Sequence, residues 1–368
     1  MAPRVVIAPD AFRGSLTADE VARHIADGLS SIRPDAEVLR CPVADGGEGT
    51  LAAALGAGFR RVAVRATGPT GRPVDSAIAV REGVAVVELA DACGLARAGR
   101  LDPLGASSRG AGDLVRAALD RGCHKVVLGV GGSASTDGGA GMLQALGARL
   151  LDADGIAVSA GGAGLTQLSR VDLSSLDRRL AGTKIVLASD VDNPLLGPDG
   201  AAAVFGPQKG ATDTDVRVLD RALTRWAELV DPQSVAVPGA GAAGGVGFAA
   251  IAVLGATMRP GIDVVLDLVG FRDIVEGTDL VIAGEGRLDA QTLRGKAVAG
   301  VASVARAFGV PTVAVAGSVT LASDGIARLG LSGTYALTDL EPDAARSIAE
   351  AGPLLQRVGR LVAGDWLR

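Results

Sequence analysis

The stretch from Lys125 to Gly141, KVVLGVGGSASTDGGAG, constrains this chain more than any other. Its apolar run to Val130 reads as a buried strand. The chain then empties into glycine, serine, threonine and one aspartate before a helical run, Met142 to Leu150. A strand feeding a Gly-rich turn into a helix start directs backbone N–H groups toward an anion. Glycine serves there because a Cβ would block close approach and exclude positive φ. A packed turn with no ligand is the plain alternative, and a lone Gly-rich loop does not decide between them.

The same order of strand, loop and helix recurs. Arg4–Pro9 is a β-rich run followed at once by Asp10. Thr17-x-x-Glu20 is a capping box, with Val21, Ile25, Leu29 and Ile32 on one helical face as far as Pro34. Glu37–Val43 forms a second strand and runs into Asp45-Gly46-Gly47-Glu48-Gly49-Thr50. Lys184–Ser189 ends at Asp190, with Asn193 just beyond, and Asp279–Ala283 leads to Gly284-Glu285-Gly286-Arg287-Leu288-Asp289. Lys296 stands in the first turn of a helix reaching Phe308, where the helix dipole disfavours a cation unless an anion is near. Carboxylates at successive strand ends suit an open α/β sheet, whose ligands bind beyond the strands' C-termini. Each Asp alone could equally be a helix cap.

The first two strands and the last three alternate with helices and form a five-stranded, doubly wound parallel sheet. Short strands after Arg61 and the central glycine loop belong to an inserted α/β domain. The division expected is residues 1–65 plus 275–368 for the discontinuous domain and 66–274 for the insert. The loops at Asp10, Asp45, Gly131, Asp190 and Glu285 are expected to meet in a cleft between them.

Composition narrows the function. A net charge of −5 over 368 residues lacks the basic face that nucleic acid requires. The longest uncharged stretch, Pro232–Met258, is broken by glycines and prolines, so no membrane span is expected. No secretory leader is apparent, and Cys41, Cys93 and Cys123 form no C-x-x-C pair, which fits free thiols in a reducing cytoplasm. No exposed apolar stripe announces an oligomer. Gly239-Ala240-Gly241-Ala242-Ala243-Gly244 matches a dinucleotide fingerprint, but only a short run closed by Pro238 precedes it, where a full strand is required. Glycine loops, several cations and carboxylates, without a Ser-His-Asp pattern, are the parts of phosphoryl transfer.

Six segments carry a resemblance along nearly the whole chain: VVIAPDAFRGSLTA (5–18), PVADGGEGT (42–50), GVGGSASTDGGAGMLQALGARL (129–150), NPLLGPDGAAAVFGPQKGA (193–211), GAGAAGGVG (239–247) and GEGRLDAQTLRGK (284–296). In this order they resemble the bacterial glycerate kinases of the first type. The resemblance implies phosphoryl transfer from ATP to D-glycerate with Mg²⁺, 2-phosphoglycerate being the favoured product, on two α/β domains, one similar to flavodoxin. Kinase action on a related hydroxy acid, or anion binding without turnover, are the alternatives.

On that basis Asp190 is the expected base or Mg²⁺ ligand. Lys296 and Arg13 would meet the transferring phosphate, and Arg287 the substrate carboxylate. Gly131, Gly132 and Ser133 would supply backbone and hydroxyl donors. Asp10 and Asp45 form an acidic floor, and Gly46, Gly47, Asn193, Glu285 and Asp289 complete the binding loops. Where the family reads D-S-F-K, this chain has Ala11 and Arg13, losing a hydroxyl and exchanging an ammonium for a guanidinium. Thr136 also stands where the family often has Asn.

Overall fold

A computed structural model describes residues 2–367, apart from the side chain of Arg294. The chain divides into two compact units. The first comprises the chain up to Asp45, Ala52–Ala57 and Ile262 onward; the second comprises Gly46–Leu51 and Gly58–Gly261.

The sheet of the first unit is built from β1 (Arg4–Pro9), β2 (Glu37–Arg40), β11 (Leu280–Leu288), β12 (Thr312–Val319) and β13 (Gly333–Ala336), numbered along the whole chain. All four pairings are parallel and the order is β13-β12-β11-β1-β2. This is the flavodoxin-like order 2-1-3-4-5, with its switch point where β1 meets β11. The apolar runs produce two cores, one on each face. Val5, Ile7, Ile282 and Val315 pack under the helices Ala18–Ser30 and Ala351–Trp366. Val6, Ala8, Val281 and Ala314 pack under Gly261–Val269 and Ala297–Ala307.

The capping box forms as expected: Glu20 N–H donates to Thr17 Oγ1, and Thr17 N–H donates to Glu20 Oε2. Val21, Ile25 and Leu29 are buried, but the helix stops at Ser30 and Ile32 is exposed. Gly28 and Gly359 let this helix and the last one approach to backbone contact: a Cβ on Gly28 would lie 2.0 Å from the Gln356 carbonyl oxygen.

The second unit carries β3 (Arg60–Thr67), β4 (Pro73–Arg81), β5 (Val84–Glu88), β6 (Lys125–Gly129), β9 (Lys184–Ala188) and β10 (Thr257–Arg259), in the order β10-β9-β6-β5-β4-β3. A separate hairpin pairs β7 (Arg149–Leu151) with β8 (Arg170–Asp172). Residues 58–65 therefore belong with this unit, because β3 pairs along its whole length with β4. Residues 262–274 belong with the first, because Ile262, Val265, Leu266 and Phe271 are part of its core. The helical run expected over Met142–Leu150 is only Ala140–Ala145. Gly147 at φ +111° turns the chain into β7 instead.

Candidate active site

In the first unit, Pro9 pairs with Gly284, and the Asp10 N–H donates to the Gly284 carbonyl at 2.8 Å. Asp10 is thus fixed where β1 hands over to its loop. Buried Phe12 anchors that loop and bridges to Leu16. A cavity of about 470 Å³ opens here, lined by Asp10, Arg13, Asp45, Glu285, Arg287 and Lys296 among others.

Glu285 and Arg287 lie within β11, since its pairing with β12 continues through Arg287–Ser318 to Leu288–Val319. The loop expected at Gly284–Asp289 is therefore strand until its last residue. Extended backbone puts Glu285 and Arg287 on one side of the strand, two residues apart. Asp289 lies outside the cavity lining: its Oδ1 accepts from Gln291 N–H at 2.8 Å, and its own N–H donates to Thr292 Oγ1. It shapes the turn that carries Gln291 and Lys296. Lys296 is the N-cap of the helix Ala297–Ala307 and holds no side-chain capping bond.

Burial raises the Asp10 carboxyl to about 7, aided by the negative charge of Asp45 and opposed by the Ala11 N–H and Arg13. Burial likewise raises Glu285 to about 7, against the Thr292 hydroxyl bonded to its Oε1 and the charge of Lys296. Arg13 reaches Asp45 at 3.6 Å while its side chain stays mostly exposed. Two acids poised near neutrality thus share a cavity with three cations, an arrangement that can accept a proton and hold an anion.

In the second unit the strand ends are level: Glu88, Gly129, Ala188 and Arg259 form one row across β5, β6, β9 and β10. The loops beyond them are packed by glycine. A Cβ on Gly131 would lie 2.7 Å from the Gly47 Cα, and one on Gly129 would lie 2.6 Å from the Gly46 carbonyl oxygen. Gly46, at φ +87°, touches Gly261 just as closely. Gly46, Gly47, Gly131, Gly132 and Ser133 are thereby brought together as two touching loops. Asp190 follows β9, and its Oδ1 accepts the Gly261 N–H at 2.8 Å. Asn193 does different work. Its Nδ2 donates to the Asp199 carbonyl and its own carbonyl accepts from Gly241, tying its loop to the later glycines.

Three residues outside the expected set hold these loops. Glu88 Oε2 accepts from the N–H groups of Gly49 (3.2 Å) and Leu51 (3.0 Å), and burial raises its carboxyl to about 7. Asp137, fully buried, accepts from Ser108 N–H and both Ser107 and Ser108 hydroxyls, and from the N–H groups of Gly139 and Gly141. Burial raises its pKa even against these donors. The anion expected at the start of the following helix is therefore the chain's own Asp137, and that helix has six residues. Of the residues before it, Gly131 is half-buried and Gly132 exposed, while Ser133 is buried. The third is Lys209, buried among Ser133 and Ser135.

The fingerprint-like glycines at 239–244 have no strand before them, only the short turn Pro232–Ala236. Gly244 packs against Ser135 and Thr136 and Gly245 against Gly138, and the Gly244 carbonyl accepts the Gly138 N–H at 2.9 Å. Their smallness serves the central loop.

Poised acids beside cations in one unit, and a glycine-built loop in the other, suit an α/β phosphotransferase, a kinase. The sequence profile of the glycerate kinase family matches residues 5–367, and the chain belongs to that family. It is 42% identical over 371 residues to a glycerate kinase of Bacillus subtilis (strain 168), covering 98% of this chain and 97% of the relative. It is 45% identical over 329 residues to a glycerate 2-kinase of Escherichia coli (strain K12), covering 86% of each. A crystal structure described as glycerate kinase 2 from Salmonella typhimurium LT2 superposes with a TM-score of 0.85 at 42% identity, covering 99% of this chain and 98% of that one. Among the described residues, no helix is long and apolar enough to cross a membrane.

Proposed function

We propose that this chain transfers the γ-phosphoryl group of ATP to the 2-hydroxyl of D-glycerate, with Mg²⁺, in the cytoplasm, where its three free cysteines stay reduced. The observation that carries the reading is the first unit's cavity, where Asp10, at about 7, lies beside Arg13, Arg287 and Lys296. Arg287 holds the substrate carboxylate, as a guanidinium can do bidentately. Asp10 takes the proton from the attacking hydroxyl, its pKa being close to working pH. Lys296 and Arg13 offset the charge that develops on the transferring phosphoryl group. Gly131, Gly132 and Ser133 hold the phosphate chain with backbone N–H and hydroxyl donors, and the glycerate 2-kinase relative supports the choice of hydroxyl.

Among the described residues no three His, Cys, Asp or Glu side chains converge on one point. Kinases hold Mg²⁺ with one or two carboxylates and the substrate's own phosphates. Asp190 is the carboxylate proposed for it, and the ion, when bound, neutralises phosphate charge.

The test is ADP release with D-glycerate, ATP and Mg²⁺, followed by phosphorus NMR of the product. A doublet, from coupling to the single proton at C2, is expected. A triplet would move the phosphate to the 3-hydroxyl. Turnover only with another hydroxy acid would replace the substrate, and none in a folded sample would overturn the reading.

A further inference from the structure

Lys209 has no part in the chemistry above. It ends the turn Pro207–Lys209, and 1% of its surface is exposed. Its Nζ donates to Ser133 Oγ at 2.9 Å and to the Ser135 carbonyl at 2.5 Å. Asp137 is the charged group that faces it, yet the described hydrogen bonds of Asp137 go to Ser107, Ser108, Gly139 and Gly141. A buried ammonium satisfied only by neutral oxygens is costly, so its direction must serve a purpose.

The purpose lies in what the ammonium does to Ser133. A hydroxyl has one proton to give and two lone pairs to receive. An N–H from Lys209 fills a lone pair on Ser133 Oγ and leaves the serine's own proton to point elsewhere. The Ser133 backbone cannot drift, because it bridges to Gly94, with Leu95 N–H on the Gly132 carbonyl and Ala134 N–H on the Cys93 carbonyl. A second N–H of Lys209 goes to the Ser135 carbonyl, which fixes the ammonium's direction toward Ser133. We infer that Lys209 is a positioning residue that sets Ser133 as a hydrogen-bond donor to a phosphate oxygen of the nucleotide. This rests on reading Gly131–Ser133 as the phosphate loop.

Burial pulls Lys209 down to about 7 against the attraction of Asp137, so the positive charge behind Ser133 fades as pH rises through neutrality. ATP binding to the whole protein, measured by calorimetry without acceptor, tests the inference on Lys209→Met, Ser133→Ala and the double variant. Each single change should weaken binding about tenfold, the scale of one hydrogen bond to a charged group, and the double should be no weaker than the worse single. Wild-type affinity in Lys209→Met, or a double equal to the product of the singles, would overturn the positioning role. Failure of the wild-type protein to bind ATP would overturn the kinase reading with it. Where Lys209→Met does not fold, Ser133→Ala carries the test. The KM for ATP of the wild-type protein should climb between about pH 6 and 9, and that of Ser133→Ala should climb less. Equal slopes in the two proteins would sink the inference.

Discussion

The two units build their proposed anion sites in opposite ways. The first does it with side chains: Asp10, Arg13, Glu285, Arg287 and Lys296 surround a cavity, and its strands merely carry them there. The second does it with backbone: Gly46, Gly47, Gly129 and Gly131 touch where no Cβ fits, and buried Glu88, Asp137 and Lys209 hold the shape from behind. Damage to the first should therefore appear in rate, and damage to the second in stability or in nucleotide affinity.

The largest effect is expected from Asp10→Asn. Loss of the proposed general base should lower kcat/KM about 10²- to 10⁴-fold. Its stability should move the other way. With the carboxyl raised to about 7, the folded state holds the proton more tightly than the unfolded chain does. That contribution is full below the ordinary carboxylate range and is lost as pH rises through 7. Urea melts should show the variant gaining on the wild type with rising pH, while wild-type kcat/KM climbs over the same window. A variant that loses both rate and stability would erase the contrast.

Lys296→Ala should cost about 10²- to 10³-fold in kcat. Its melting curve should stay close to wild type, because the ammonium makes no capping bond. In the second unit, Asp137→Ala should lower unfolding free energy by about 3 kcal/mol, since its buried donors would be left unmet. Denaturant titration reads this directly, and a loss confined to kcat would show that the backbone loop is chemistry rather than scaffold. Gly131→Ala should cost about 1–3 kcal/mol, because the neighbour it meets is the Gly47 backbone and cannot rotate away. Arg13→Lys should be the mildest change, within about 1 kcal/mol in stability, because its contact with Asp45 is largely in water.

Much of the fold is legible in the sequence. The order of five parallel strands follows from runs such as RVVIAP and DLVIA, each apolar because both faces of a parallel sheet are covered. Asp10, Asp45, Glu285 and Arg287 could be read because each follows, or continues, such a run, and Lys296 because a cation is out of place at a helix start. The length of β11 could not, since two glycines in GEGRL read as loop while the matching length of β12 keeps them paired. Lys209 and Glu88 escaped for another reason: burial of a charge leaves no mark in periodicity. The one trace was a lysine set between glycines at the end of an alanine-rich segment. Asp137 lay inside the quoted motif, but which of its neighbours would claim it depended on Ser107 and Ser108, distant in sequence.

The pairing of Val5 with Leu280 has a consequence for how the chain is made. At roughly 5–20 residues per second, a ribosome needs on the order of tens of seconds to reach β11 after releasing β1. Through that interval β1, a central strand with Val5, Val6 and Ile7 destined for complete burial, has only the short β2 beside it. The segment 58–261 is contiguous and can fold as it emerges. Synthesis thus completes the glycine-built unit first and leaves the apolar centre of the five-stranded sheet in the care of whatever shields nascent chains.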